Sequence, residues 1–370
     1  MIKIIEIFGE PILRGGQESY VMSTIQNMDR SGLYIDLFTP YYCDNQQYQS
    51  YMKDIGGEIY CAGLPFAPGH SRRNIVSVLG KMLKKKHYEV AHIHSGSISV
   101  LMYAAKICKR MGIETIIVHS HSSGVKENLK HLLIKTFYSG SFRHYATKLC
   151  ACSLEAAKWK FPKSLLKDTK ILNNGIDLDK FKWNPLVRKK IRNELHIDES
   201  TFVIGHVGRF THEKNQIFLI YILHQMIKSN PQIKLVLVGD GEEKSAVEGK
   251  AKQLGVYDKV FFIGSVDNPQ DYLQSFDVFI FPSLYEGFGL AGIEAQATGM
   301  PLVASTGIPR DIQVTENVSF LSLEDDIVTW EQEILKYREI NRVDVSEYIR
   351  QRGFDIKKTS QDVRALYLMN

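Results

Sequence analysis

The sequence predicts an α/β chain folded as two successive doubly wound, Rossmann-like domains. Three observations lead there. Short apolar runs alternate with stretches of helical length, the pattern of repeated βαβ units. The alternation starts at Ile2 and restarts after Asp177. The chain's 370 residues suit two domains of ordinary size, each able to bury its own core.

Taken in order, Ile2–Phe8 reads as a strand, Glu18–Met28 as a helix and Tyr34–Thr39 as the next strand. Glu58–Cys61 and Val90–His94 are short strand-like runs. Ile98–Met111 is helical, and Glu114–His119 is rich in β-branched residues, as a buried parallel strand should be. Lys148–Ser153 and Lys170–Leu172 follow, ending in the turn Asn173–Gly175. The charged segment Lys180–Ser200 supplies a linker and the first helix of the second domain. There, Val203–Val207, Lys234–Val238, Val260–Ile263, Val278–Phe281 and Leu302–Ala304 are strands. Asn215–Lys228 and Glu242–Leu254 are helices between them. Amphipathic helices close the chain. The expected boundaries are residues 1–180, 181–345 and a C-terminal segment, 346–370.

Composition narrows the class. With 44% apolar, 24% charged and 11% aromatic residues, the chain is globular and not disordered. No apolar run approaches the roughly 20 residues that span a bilayer. The opening MIKIIEIFGE enters a strand directly, without a basic-then-apolar leader, so a cytoplasmic location is expected. Five cysteines without paired metal spacing are expected to be reduced thiols in or near the core. Residues 1–180 hold 24 Lys and Arg against 15 Asp and Glu, a net of +9, and the remainder hold 22 against 26, a net of −4. A basic first half attracts an anionic partner, unless it only reflects lysine-rich solvated helix faces.

Chemistry concentrates at Phe281–Ser305, FPSLYEGFGLAGIEAQATGMPLVAS. The strand Val278–Phe281 stops at Pro282–Ser283, and Gly289–Thr298 suits a helix. Glu286 therefore lies on the loop and Glu294 inside the helix. A helix opening on Phe288, Gly289 and Leu290 offers unpaired backbone N–H groups and a positive dipole end, which suit phosphate. Two carboxylates flanking that anion site can each grip hydroxyl groups. The competing reading is a Gly-rich connection with one surface acid and one half-buried acid.

Other motifs sit at strand ends. Gly15–Gly16–Gln17–Glu18 follows the first strand and permits close backbone approach to a ligand, or is a simple turn. It is not a Gly-x-Gly-x-x-Gly dinucleotide fingerprint. Arg209 and Lys214 follow Val203–Val207, at the edge where ligands of such sheets bind. Two fixed cations there suit an anionic ligand, or form only a basic loop after a strand. His119 and His121 end one strand of the first domain, and His92 and His94 its neighbour. A strand-end histidine can bond to a substrate hydroxyl; His121 is favoured and His119 is the alternative, since both can face the same way. A zinc site in this cluster is disfavoured for want of an acid or thiol at ligand spacing. Asp177 and Asp179 form an Asp-x-Asp, read as structural or hinge-proximal and not as a metal site. Residues 126–145 place Leu129, Leu132, Leu133 and Phe137 on one side among basic residues. That is either a core-facing helix with a basic back, which is favoured, or a segment lying on an anionic membrane.

The ordered set Gly-Gly-x-Glu, strand-end histidines, Asn174–Asp177, Gly208–Arg209 with Lys214, Gly239–Gly241 and Glu286-x7-Glu294 resembles the retaining glycosyltransferases of glycosyltransferase family four. The stretch TGIPRDIQVTENVSFLSLEDD resembles members found in bacterial exopolysaccharide and capsule assembly. The resemblance implies a GT-B fold, two Rossmann-like domains facing a central cleft, with the C-terminal helix crossing back to the first. It implies that Glu286 contacts the donor sugar, with His121 beside the reaction, and that Glu294 holds the ribose. Arg209 and Lys214 would take the diphosphate, helped by Phe288, Gly289 and Leu290, with the Gly15–Gly16 loop against donor phosphates or acceptor.

The implied reaction is metal-independent transfer of a sugar from a nucleoside diphosphate, with uridine favoured, to a lipid-linked saccharide. No cofactor and no nucleic acid are expected, and peripheral contact with an anionic membrane is. Two rivals share the frame. A nucleotide-sugar 2-epimerase would need no acceptor, and a non-catalytic partner subunit would not need Glu286.

Overall fold

The computed structural model describes residues 1–13, 15–66, 73–121 and 129–369. The chain divides into two compact units, Met1–Gly175 with Gly353–Asn370, and Ile176–Arg352. The divisions fall after Gly175 and after Arg352, not after 180 and 345.

The first unit is built on a seven-stranded parallel sheet. Its strands are β1 (Ile2–Phe8), β2 (Leu33–Thr39), β3 (Ile59–Cys61), β4 (Val90–His94), β5 (Thr115–Ser120), β6 (Lys148–Ala151) and β7 (Thr169–Ile171). They lie in the order β3-β2-β1-β4-β5-β6-β7. The central strands are buried on both faces, which is why they read as continuous apolar runs. One core gathers Ile4 and Phe8 of β1 with Tyr20, Val21 and Ile25 of the helix Gly16–Asn27 and Val363, Leu366 and Tyr367 of the helix Ile356–Leu368. The last helix thus completes this unit, with Ser360 Oγ donating to the carbonyl of Thr24 at 3.0 Å.

The second unit carries six parallel strands: β8 (Phe202–Val207), β9 (Ile233–Val238), β10 (Val260–Gly264), β11 (Val278–Phe281), β12 (Leu302–Ser305) and β13 (Val318–Leu321), ordered β10-β9-β8-β11-β12-β13. β13 carries no long apolar run, and the sequence pattern did not mark it. Asp277, just before β11, anchors the helix Pro185–Glu194 to this sheet. It accepts from Arg188 Nη2 at 2.8 Å, from the buried Arg192 Nη2 at 2.7 Å and from the backbone N–H of Val203 at 2.7 Å. Arg192 also donates to the carbonyls of Ser275, Asp198, Glu199 and Thr201.

Two expectations change in detail, while Asp177 keeps the structural reading. The basic segment of the first unit forms two helices, Leu129–Phe137 and Ser139–Tyr145. Its Leu132, Leu133 and Phe137 are exposed and do not face the core; its start, 126–128, lies outside the described residues. Of the cysteines, Cys108, Cys150 and Cys152 are buried, but Cys61 is exposed. Asp177 is the N-cap of the short helix Leu178–Phe181, its carboxylate accepting from the N–H of Lys180, so this acid has a structural task. Among the described residues no helix is long and apolar enough to cross a membrane.

Candidate functional site

In the second unit, three loops meet at the C-terminal ends of β8, β9 and β11. The loop after β8 leans on the one after β9: Phe210 N–H donates to the carbonyl of Asp240 at 2.9 Å, and Glu243 N–H to that of Phe210 at 3.1 Å. A side chain on Gly239 would place its Cβ 2.1 Å from the Gly208 carbonyl oxygen, so only glycine lets the two backbones approach this closely. The loop after β8 also meets the loop after β11. Leu284 N–H donates to the backbone carbonyl of Glu213 at 2.8 Å, and Asn215 Nδ2 to the carbonyl of Pro282 at 3.2 Å. Asn215 holds a left-handed backbone, φ 55°, which its residue type tolerates.

This frame brings Lys214 and Glu286 together. Lys214 Nζ lies 2.6 Å from Glu286 Oε1 and 5.3 Å from the centre of the Phe281 ring. Ser283 Oγ donates to the same carboxylate oxygen at 2.7 Å, and the buried Ser305 hydroxyl in turn donates to the Ser283 carbonyl. Glu286 is therefore held from two sides. Glu294, within the helix Leu290–Ala297, is half-buried. Burial raises its carboxyl to about 7, and the Lys214 cation acts against that rise. The Lys214 ammonium pairs with Glu286 directly and reaches Glu294 only through its charge. The helix begins at Gly289 with φ 93° and without a side-chain cap. Gly292 N–H already donates to the Gly289 carbonyl at 2.9 Å, and Phe288, just before the helix, is buried. Arg209 is exposed, and its guanidinium has no side-chain contact with the two acids among the described residues; its carbonyl accepts from Gln216 Nε2 at 2.8 Å. His206, buried at the end of β8, donates from Nδ1–H to the Ile280 carbonyl at 2.9 Å.

The first unit places its predicted residues at a different sheet edge. Gly15 is the N-cap of the helix Gly16–Asn27, and the buried Glu18 folds back on it: a Cβ on Gly15 would lie 2.4 Å from Glu18 Oε2. Gly16 opens on empty space, with no atom within 4 Å of where its Cβ would be.

His92, His94, His119 and His121 occupy alternate positions of adjacent strands and so share one face. Both strand-end candidates therefore point the same way: His119 is fully buried and His121 half-buried. Glu6 of β1 and Tyr367 of the last helix join them, neither of which stands near the histidines in sequence. Their sole signals were an acid within a mostly apolar strand and a tyrosine on the apolar side of a helix. Glu6 also supplies the acid that sequence spacing lacked. Among the described residues, His92, His94 and His119 have ligand nitrogens within 4.8 Å of one another, the spacing a metal ion requires. Both nitrogens of His92 and of His94 are already hydrogen-bonded within the cluster, so the donor set fits a metal poorly.

EpsF of Bacillus subtilis (strain 168) is 28% identical over 95% of this chain and 92% of its own length. The capsular polysaccharide biosynthesis glycosyltransferase CapH of Staphylococcus aureus is 27% identical across 100% of this chain and 99% of its own. The crystal structure of Anabaena Alr3699/HepE in complex with UDP and glucose superposes with a TM-score of 0.75 at 18% identity, covering 100% of both chains. The fold is thus that of the GT-B proteins. Residues 187–351 match the family model described as glycosyl transferases group 1. That match spans most of the unit holding Lys214, Glu286 and Glu294, so the chain carries a glycosyltransferase group 1 domain.

Proposed function

We propose that the protein is a retaining, metal-independent glycosyltransferase that moves a sugar from a nucleoside diphosphate, uridine diphosphate foremost, to a lipid-linked saccharide in cell-surface polysaccharide assembly. The observation that carries the reading is the Lys214–Glu286 ion pair on the loops after β8 and β11, the latter leading into a helix start that no side chain caps. Anions suit a helix N-terminus, and cations fixed at a leaving group stabilise the charge that develops there. In the proposed reaction the bond from the anomeric carbon to the diphosphate oxygen breaks. The acceptor hydroxyl attacks the same face, and its proton passes to the departing phosphate oxygen. Lys214 and Arg209 hold the diphosphate together with the amides of Phe288, Gly289 and Leu290. Glu286 positions the sugar and Glu294 the ribose hydroxyls. The Gly15–Gly16 loop lies against donor or acceptor, with open space at Gly16, and His121 meets a substrate hydroxyl.

The nature of the relatives supports the acceptor class. A 28% identical Escherichia coli protein, matched over 78% of each chain, is a UDP-Gal:alpha-D-GlcNAc-diphosphoundecaprenol alpha-1,3-galactosyltransferase. A lipid-linked acceptor places the enzyme at the inner membrane face. The exposed Leu132, Leu133 and Phe137, on a basic first unit, are the proposed contact with anionic lipid. The test incubates the protein with uridine, guanosine and thymidine diphosphate sugars, with and without membrane-extracted lipid acceptor, and follows nucleoside diphosphate release. Acceptor-dependent release from one donor, lost in Glu294→Ala, is the expected result. No release from any donor, and no binding of uridine diphosphate, would instead favour a non-catalytic partner subunit.

A further inference from the structure

The polar cluster of the first unit forms one branched chain of hydrogen bonds whose root is Glu6. On one branch, Glu6 Oε2 lies 2.7 Å from His94 Nε2, and His94 Nδ1 lies 2.8 Å from His121 Nε2. On the other, the Tyr367 hydroxyl donates to Glu6 Oε1; it also lies 2.9 Å from His92 Nδ1, and His92 Nε2 lies 3.1 Å from His119 Nδ1. The two outermost atoms, His121 Nδ1 and His119 Nε2, are buried and have no hydrogen-bond partner among the described residues. Orphaned buried nitrogens are uncommon and call for a reason.

Proton positions follow from the connectivity. A carboxylate accepts only, so His94 must carry its proton on Nε2. A neutral imidazole has one donor and one acceptor nitrogen, so His94 Nδ1 accepts and His121 Nε2–H donates. His121 Nδ1 is then left as a bare lone pair. Tyr367 spends its proton on Glu6, so its oxygen accepts from His92 Nδ1–H. His92 Nε2 accepts from His119 Nδ1–H, and His119 Nε2 is likewise bare. Both branches end in the same way because both start at one anion. Burial holds all four rings below the usual histidine range, His94 at about 3, which keeps them neutral as the scheme requires. Burial also raises Glu6, opposed by His92 and by the Tyr367 hydrogen bond, so its anionic form depends on these donors. The other groups facing the rings are Tyr20, 5.2 Å from His119 and 5.0 Å from His121 between ring centres, and the Lys160 cation, which disfavours charge on His121.

We propose that Glu6 is a positioning residue: it fixes both branches so that His121 Nδ1 and His119 Nε2 stay unprotonated and accept a hydroxyl proton at this strand edge. In that role the carboxylate never meets the substrate. It determines which nitrogen His121 offers, and so whether a sugar hydroxyl is oriented as a donor. The catalytic part of this proposal rests on the glycosyltransferase reading; the tautomers do not.

The test is ¹⁵N NMR of the histidine rings in the full chain, with His121 and His119 assigned by loss of their signals in His121→Asn and His119→Asn. The expected wild-type spectrum shows His121 protonated on Nε2 and His119 on Nδ1. In Glu6→Gln an amide cannot accept from every donor, so at least one branch inverts. In Tyr367→Phe only the second branch is cut: His119 loses its fixed tautomer and His121 keeps its own. With uridine diphosphate glucose or galactose and membrane-extracted lipid acceptor, Glu6→Gln lowers kcat by about 10²-fold with little change in donor KM. The opposite tautomers in the wild-type protein, or unchanged tautomers in both variants, would overturn the proposal. So would an inverted His121 with unchanged kcat. Absence of transfer by the wild-type protein would sink the glycosyltransferase reading, while the spectra would still decide the role of Glu6.

Discussion

Glu294 shows how one half-buried acid makes stability depend on pH. Its carboxyl titrates near 4.5 when solvated and at about 7 in the folded protein. The folded state therefore keeps a proton that the unfolded chain has released. That contribution is complete below about pH 4.5 and is lost as the pH rises through about 7, amounting at most to about 3 kcal/mol. Urea unfolding of Glu294→Gln at pH 5 and pH 8 should show this part of the pH dependence removed, with the variant gaining on wild type at pH 8. An identical pH slope in both proteins would mean that Glu294 is not desolvated. Glu286 and Glu294 were legible in the sequence because they share one local motif with fixed spacing. Glu6 and Tyr367 were not, since they lie 361 positions apart and meet only through the sheet and the last helix. The pairing of Lys214 with Glu286 was equally hidden: sequence assigned both to a donor site but could not show them 2.6 Å apart.

At the level of elements, the strands of both sheets were readable because parallel strands buried on two faces become short apolar runs. β13 was missed for the converse reason, its residues Ser319 to Leu321 being half-buried only. What fastens a helix to a sheet was also invisible, because it is carried by single charged groups. Asp277 is the clearest case, since it compensates the fully buried Arg192 and binds Arg188 at the same time. Burial also pushes the neighbouring Arg342 guanidinium down to about 9, with the Arg188 and Arg192 cations adding to that effect and Asp277 resisting it. Removing the acid leaves these cations short of their counter-charge in a desolvated site. Asp277→Ala is expected to cost roughly 3–5 kcal/mol, measured by denaturant unfolding of the second unit. A loss below about 1 kcal/mol would place this network with ordinary surface ion pairs.

For the molecule as a whole, the two units have separate cores and separate sheets. Calorimetry should therefore resolve two transitions, and Asp277→Ala should lower one of them by roughly 10 °C while leaving the other in place. One transition moving as a single peak would show that both units melt together. The sequence disclosed this duplication through its restarted strand pattern, but the divisions at Gly175 and Arg352 depend on contacts that no local signal marks. The helix Ile356–Leu368, which closes the first unit, has a consequence for biosynthesis. A ribosome makes most of that unit first, then the whole second unit, and only afterwards the helix that supplies Val363, Leu366 and Tyr367 to the first core. The segment translated in the middle is therefore the first that can finish folding, reversing the usual order from the N-terminus. Until then the nascent chain carries an uncovered apolar face around Tyr20, Val21 and Ile25, a surface that a trigger-type chaperone would be expected to shield.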